Sequence, residues 1–342
     1  MPRFQAEPQH QHGGTAKTTV LLVNLGTPEA PTAAAVRPYL DEFLWDPRVV
    51  EIPRPVWWLI LKGIILNVRP KKSAAKYASI WMTEGSPLKV HTERQAKLLK
   101  GVLGASGHAD IVVAWAMRYG QPAVAATLDR LKAENCTRIL VLPLYPQYAA
   151  STSASVADDA FHALEKMRRQ PAIRIGAPYY DDPAYIDALA ANIRRELSAL
   201  TFAPDVIVCS FHGLPQAQVD RGDPYRDQCE TTWRLLRAAL DLPAEKLRLS
   251  FQSRFGPAKW ITPYTSDMVS ELATGGMKNL AIVAPGFSAD CLETIEELGV
   301  EIRDLFVEKG GVNFARLPCL NDSPEGMSLL ETLARRELAG WV

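Results

Sequence analysis

Short apolar, β-branched runs recur along the chain, each bounded by glycine, proline or polar residues. In the first half they read TTVLLVNLG (18–26), IVVAWAM (111–117), RILVLPL (138–144) and IRIGAP (173–178). DVIVCSF (205–211), LRLSFQS (247–253), NLAIVAP (279–285) and VNFARL (312–317) continue the series. Runs of this length predict strands buried on both faces. Between them, QPAVAATLDRLKAE, DPAYIDALAANIRRELSAL and CLETIEELGVEIRDLF place apolar residues at the three- and four-residue steps of amphipathic helices. Strand alternating with helix predicts parallel sheets with right-handed crossovers. The expected fold is α/β: two Rossmann-like lobes, each a parallel sheet of about four strands flanked by helices.

The first lobe is expected over 18–172, completed by a C-terminal helix over 323–340, and the second over 173–322. Residues 1–17 read as a mobile extension whose His10 and His12 have at most adventitious metal affinity. No repeat period and no low-complexity segment interrupts the pattern. In open parallel sheets, ligands sit beyond the carboxyl ends of strands. Those ends here carry NLGTP (24–28), Arg118 and Tyr119, YPQY (145–148), His212, and PGFSAD (285–290). A cleft between the lobes, lined by these ends, is the expected site.

Composition narrows the chemistry. With 47% apolar and 22% charged residues among 342, a sizeable core is available. A formal net charge of zero lacks the basic excess of a nucleic-acid binder, so no nucleic-acid partner is expected. Five cysteines, without a C-x-x-C pair or a secretory signal, argue against a disulfide framework and for a reducing, cytoplasmic compartment. Their spacing offers no local zinc or iron–sulfur motif. The apolar run VWWLILKGIILNV (56–68) is shorter than the ~20 residues that span a bilayer. It suits either a core helix or an exposed apolar helix that touches a membrane face. Dinucleotide, P-loop and G-x-S-x-G motifs are missing, so the sheets nominate no nucleotide.

His212, in SFHGLP, closes a strand and precedes Gly213. It reads either as a satisfied core histidine or as a group presented to a ligand that approaches the backbone at the glycine. An imidazole's ordinary pKa of about 6.5 suits proton transfer near neutrality, and imidazole also binds first-row metals. In DCLETIEELGVEIRDLF, helical geometry gathers Leu292, Ile295, Leu298, Ile302 and Leu305 in one stripe and puts Glu293 and Glu297 together opposite it. Glu293 reads either as the partner of Asp290 in a capping box on a solvated helix or, with Glu297, as a carboxylate ladder for a divalent cation or a proton. Hard oxygen ligands with one imidazole suit transient Fe2+.

These segments resemble the signatures of ferrochelatases, which insert Fe2+ into a porphyrin to make haem. The match rests on SFHGLPQAQVDRGDPY, QSRFGPAKWITP and APGFSADCLETIEELGVE, with NLGTPEAP, EGSPL, MRYGQP and PLYPQYAAST in the family's order. It runs from about residue 18 to 340 and is jointly specific. The resemblance implies that His212 stands over the macrocycle's centre, with Glu293 opposite it and Glu297 the next rung outward, the three sharing the metal. It implies porphyrin contacts from Leu25, Tyr77, Ser86, Arg118, Tyr119, Trp260 and Phe287; for Trp260 and Tyr77, ordinary core packing is the competing reading.

Cys291 stands where some members carry histidine, which puts a proton route there in doubt. Ala150 replaces a cluster cysteine of other members, and LARRELAGWV ends the chain without the cysteines of cluster-bearing tails. No iron–sulfur cluster or other cofactor is expected, since iron is a substrate. The insertion 44–70 looks like the apolar lip of members that use protoporphyrin IX, and it brings a peripheral membrane contact through 56–68 into view. The implied partners are therefore protoporphyrin IX and Fe2+. The competing readings are a chelatase for another metal or tetrapyrrole, such as cobalt, and a non-catalytic haem or metal carrier.

Overall fold

A computed structural model of the chain describes Phe4, Glu7 and residues 14–342. Among these residues eight strands form two parallel sheets of four. In the first, β1 (Lys17–Gly26), β2 (Val112–Tyr119), β3 (Cys136–Pro143) and β4 (Ala172–Ile175) lie in the order β2-β1-β3-β4. In the second, β5 (Val206–His212), β6 (Leu247–Gln252), β7 (Asn279–Val283) and β8 (Asn313–Arg316) lie in the order β6-β5-β7-β8. The two sheets thus share one strand order, and every pairing within them is parallel. Val20 to Val23 at the centre of β1, and Val206, Val208 and Cys209 in β5, are fully buried, as doubly covered strands require.

The chain divides into two compact units. One comprises Met1–Leu144, Ala150–Ala177 and Leu330–Val342; the other comprises Tyr145–Ala149 and Pro178–Leu329. The boundary expected at 172/173 falls inside β4, which pairs with β3 in the first sheet. The chain leaves that sheet only after β4, through APYYDDP. The C-terminal helix, Pro324–Glu337, crosses the division between the units instead of lying wholly in the first.

Glycine closes β1 for a steric reason. Gly26 has φ of +115°, and a Cβ there would lie 1.8 Å from the Tyr119 carbonyl oxygen. Only glycine lets the ends of β1 and β2 approach this closely, and that approach sets Leu25 near the register position of Arg118 and Tyr119.

The apolar lip is buried along one face and exposed along the other. Helix Arg54–Ile60 runs through a π-helical turn, Leu61–Ile65, into helix Leu66–Ile80. Trp57, Leu61 and Leu66 are buried, and the Trp57 indole donates to the Leu44 carbonyl at 2.7 Å. Val56, Trp58, Leu59, Ile64 and Val68 are each more than half exposed, up to 63% for Leu59. Among the described residues no helix is long and apolar enough to cross a membrane.

Of the N-terminal extension, Phe4 and Glu7 are described, and both are anchored where mobility was expected. The Glu7 carboxylate accepts from the backbone N–H groups of Arg168 and Arg169 at 2.8 and 2.9 Å and pairs with Lys132 at 2.5 Å. Arg168 stacks its guanidinium over the Phe4 ring. Lys132 is almost fully buried, and a buried ammonium needs a counter-charge. His10 and His12 lie outside the described residues.

Candidate active site

In the second unit, β5 carries a continuous apolar run to the edge of the core and ends on half-buried His212. The imidazole Nδ1 lies 2.7 Å from the Gly213 carbonyl oxygen. A carbonyl only accepts, so Nδ1 bears the hydrogen, and Nε2 is the nitrogen that carries the lone pair in the neutral ring. Gly213 has a structural reason of its own. A Cβ there would meet the Gln252 carbonyl oxygen at 2.7 Å and the Trp260 ring at 2.9 Å. Close packing by protein, in place of the expected ligand approach, accounts for the glycine. Trp260 and Phe287 flank the imidazole with ring centroids at 6.4 and 6.5 Å.

The carboxylates come from the element after β7. The α-helical period expected over 291–306 is a π-helix over Glu293–Ile302, followed by an α-helix over Arg303–Glu308. In a π-helix the bonds run i→i+5, so residues four apart remain roughly one turn apart. Leu298, Ile302 and Phe306 enter the core with β5 and β7, while Leu292, Ile295 and Leu305 are only partly covered. The widened turn explains why the five-residue stripe is not uniformly buried.

The capping box does not form. Asp290 instead accepts from Thr294 Oγ1 at 2.8 Å, from Arg316 at 2.7 Å and from Asn321 at 2.8 Å. This leaves Glu293 out of the cap.

Glu297 accepts from the backbone N–H of Ser253 at 2.7 Å and from its hydroxyl at 2.6 Å. Burial pushes the Glu297 carboxyl above its ordinary value; the Ser253 bonds and the His212 charge oppose this, and the Glu293 charge adds to it. His212, Glu293 and Glu297 therefore share one electrostatic neighbourhood. They do not close a coordination shell: among the described residues no three His, Cys, Asp or Glu side chains gather as a metal's ligand set. Burial raises the Cys291 thiol well above its usual range, and the adjacent Glu293 raises it further. Near neutrality Cys291 is a thiol, without the titration a histidine there would bring.

The first unit builds a second polar centre around Arg118. Its guanidinium donates to Asp46 at 2.7 Å and to Ser155 Oγ at 2.7 Å, and Asp159 stands 3.8 Å from its free edge. Tyr119 is fully buried, and its hydroxyl donates to Asp46 at 2.8 Å. Ser86 is buried and accepts from Thr27 Oγ1 at 2.8 Å. Tyr77 is buried, edge-on to Tyr39 and Trp81. Leu25 and Arg118 are the expected porphyrin contacts of this unit that keep some exposure.

The sequence profile of the family described as "Ferrochelatase" matches residues 17–338. The chain belongs to the ferrochelatase family. Its relatives include the ferrochelatase of Aromatoleum aromaticum, 54% identical over all of this chain and 93% of that protein. That of Dechloromonas aromatica is 52% identical over the same shares, and that of Nitrobacter hamburgensis is 53% identical over 94% of each chain. Among solved structures, SirB from Bacillus subtilis with Fe3+ superposes with a TM-score of 0.56 at 14% identity, over 95% of this chain and 97% of that one. DR2241 from Deinococcus radiodurans, a multi-domain protein with structural similarity to chelatases, gives 0.54 at 13% identity, over 93% of this chain and 55% of that one. At such identities the likeness shows a shared fold.

Three residues of these centres escape a reading of the sequence: Ser253, Gln252 and Asp46. Ser253 and Gln252 stand inside the family motif QSRFGPAKWITP, which marks the segment without revealing what it grips. Asp46 follows an apolar run at a helix end, where an aspartate signals only a stop.

Proposed function

We propose that this ferrochelatase-family chain inserts Fe2+ into protoporphyrin IX to give protohaem, releasing two protons. The reading rests on one observation above all: an imidazole whose Nδ1 is held by a backbone carbonyl, which leaves Nε2 as the nitrogen that can take a proton, flanked by two aromatic rings and in the same electrostatic neighbourhood as Glu297 and Glu293. Metalation of a free porphyrin requires just these parts. Two pyrrole N–H protons must leave, Fe2+ must shed water, and nitrogen lone pairs hidden in the ring plane must be exposed.

In this mechanism His212 Nε2 accepts the pyrrole protons. Glu293 and Glu297 exchange as oxygen ligands to iron and carry protons outward; as hard, easily exchanged donors they suit a metal that must be released to the product. Phe287 and Trp260 present apolar faces to the macrocycle. Leu25, Tyr77, Ser86, Arg118 and Tyr119 complete the porphyrin contacts, Tyr77, Ser86 and Tyr119 by supporting more exposed neighbours. Bending the ring, at about 1–5 kcal/mol drawn from contacts to its periphery, would expose the lone pairs to iron. The exposed face of the lip supports a peripheral membrane contact, and a cytoplasmic location fits five free, buried cysteines.

Two substitutions test the roles. His212→Ala should lower turnover by about 10²–10⁴-fold while porphyrin still binds, the range for loss of a general base; near-normal turnover would remove that role. Glu293→Gln keeps shape but removes charge, and an unchanged dependence on iron concentration would take Glu293 out of metal exchange.

A further inference from the structure

The end of β6 contributes no group to the chemistry above, yet it holds the carboxylate-bearing helix at two points. π-Helical hydrogen bonding usually persists for a single turn. Here it runs over ten residues, Glu293–Ile302. Such a helix needs external fixings if its two glutamates are to keep one geometry.

Gln252 and Ser253 supply them. Gln252 lies opposite His212 in the β5–β6 ladder, and its Nε2 donates to the Glu293 carbonyl at 3.0 Å. Its Oε1 accepts from Ser210 at 2.8 Å; Ser210 meets Thr265 at 2.8 Å, and Thr265 meets Ser250 at 2.9 Å. All four of these residues are buried, so the Gln252 amide has a single orientation that satisfies the chain of donors and acceptors. Ser253 has φ of +64°, in the left-handed region that residues other than glycine rarely adopt. That conformation directs its N–H and its hydroxyl to the two oxygens of one carboxylate, Glu297, 44 positions away.

We propose that Gln252 and Ser253 form a two-point clamp that fixes Glu293 and Glu297 against the strand bearing His212, with Ser253 the positioning residue for the outer carboxylate. The inference rests on the ferrochelatase reading of this site. Its prediction is specific to the metal, because the Ser253 hydroxyl and N–H both bond to Glu297, a group assigned to metal exchange.

Ser253→Gly is the informative variant. It relieves the left-handed backbone and keeps the N–H bond while deleting the hydroxyl bond, so a purely structural role predicts equal or higher thermal stability and intact activity. The clamp predicts a fall in kcat/KM for Fe2+ of about 10- to 100-fold, as loss of one bond to a charged group allows. KM for protoporphyrin IX should stay within twofold and Tm should not fall. Ser253→Asn, which tolerates the left-handed conformation and offers a side-chain N–H, should recover part of the iron dependence.

Gln252→Met should speed amide exchange over 293–302 more than elsewhere in the protein. Wild-type iron kinetics in Ser253→Gly, or a loss shared equally by porphyrin KM and Tm, would overturn the clamp. An inactive wild type would instead overturn the ferrochelatase reading, and the clamp with it.

Discussion

Asp46 is the acceptor for Ser155 Oγ, Arg118, Tyr119 Oη and the Arg48 backbone N–H. Burial works against its carboxylate, but these bonds and the Arg118 charge outweigh it and hold the pKa below the ordinary aspartate value. A depressed carboxyl stabilises the fold above its unfolded pKa of about 3.9, and the contribution is lost as pH falls through the folded value. Asp46→Ala should therefore destabilise the protein by about 3–5 kcal/mol at neutral pH, since it removes the nearer counter-ion of Arg118 and leaves Asp159 at 3.8 Å as the remaining one. Urea titrations should show the gap between variant and wild type narrowing below about pH 4. A gap that does not change with pH would mean that packing, not charge, is what Asp46 supplies.

His212 was legible because strand run, histidine, glycine and proline are contiguous. Asp46 and Ser253 were not, because their partners lie 72 to 109 and 44 positions away and only the folded chain brings them together.

The lip shows why an apolar run alone could not be assigned. Its 13 residues divide into a face that packs on the first unit through Trp57 and Leu61 and a face that meets solvent through Trp58, Leu59 and Ile64. The neighbouring tryptophans should consequently behave differently. A Trp58→Glu/Leu59→Glu variant should keep its Tm and lose most co-sedimentation with anionic vesicles. Trp57→Ala should destabilise by about 3–5 kcal/mol, through the cavity and the lost indole bond to Leu44. Equal vesicle binding by the Trp58/Leu59 variant and wild type would rule the exposed face out as a docking surface. The carboxylate helix carries the complementary lesson. A 100° period placed Leu298 and Ile302 in the core but left Leu292, Ile295 and Leu305 only partly covered, because nothing in an apolar pattern distinguishes the wider turn of a π-helix from that of an α-helix.

Each unit repeats one plan: a central first strand, a second strand on its open side, then the third and fourth on the other. All eight strands were readable as apolar runs: in central strands such as β1 and β5 burial on both faces leaves no polar alternation, and the partly exposed edge strands β4 and β8 are short runs set off by glycine and proline or polar residues. Their order was not readable, since parallel strands of similar composition do not specify neighbours. For the same reason β4, a run of four residues, was attached to the wrong side of the boundary. Within each unit the polar centre has the same kind of placement: Arg118 stands at the carboxyl end of β2 in one, and His212 and Ser253 at or just beyond the carboxyl ends of β5 and β6 in the other, where parallel sheets present groups to ligands.

The most direct test mixes purified protein with excess protoporphyrin IX and Fe2+ without oxygen and follows the absorbance change from free porphyrin to haem. The account predicts many equivalents of haem per protein chain and almost none from His212→Ala under the same conditions. Porphyrin that remains metal-free, or haem that stops at one equivalent per chain, would contradict it.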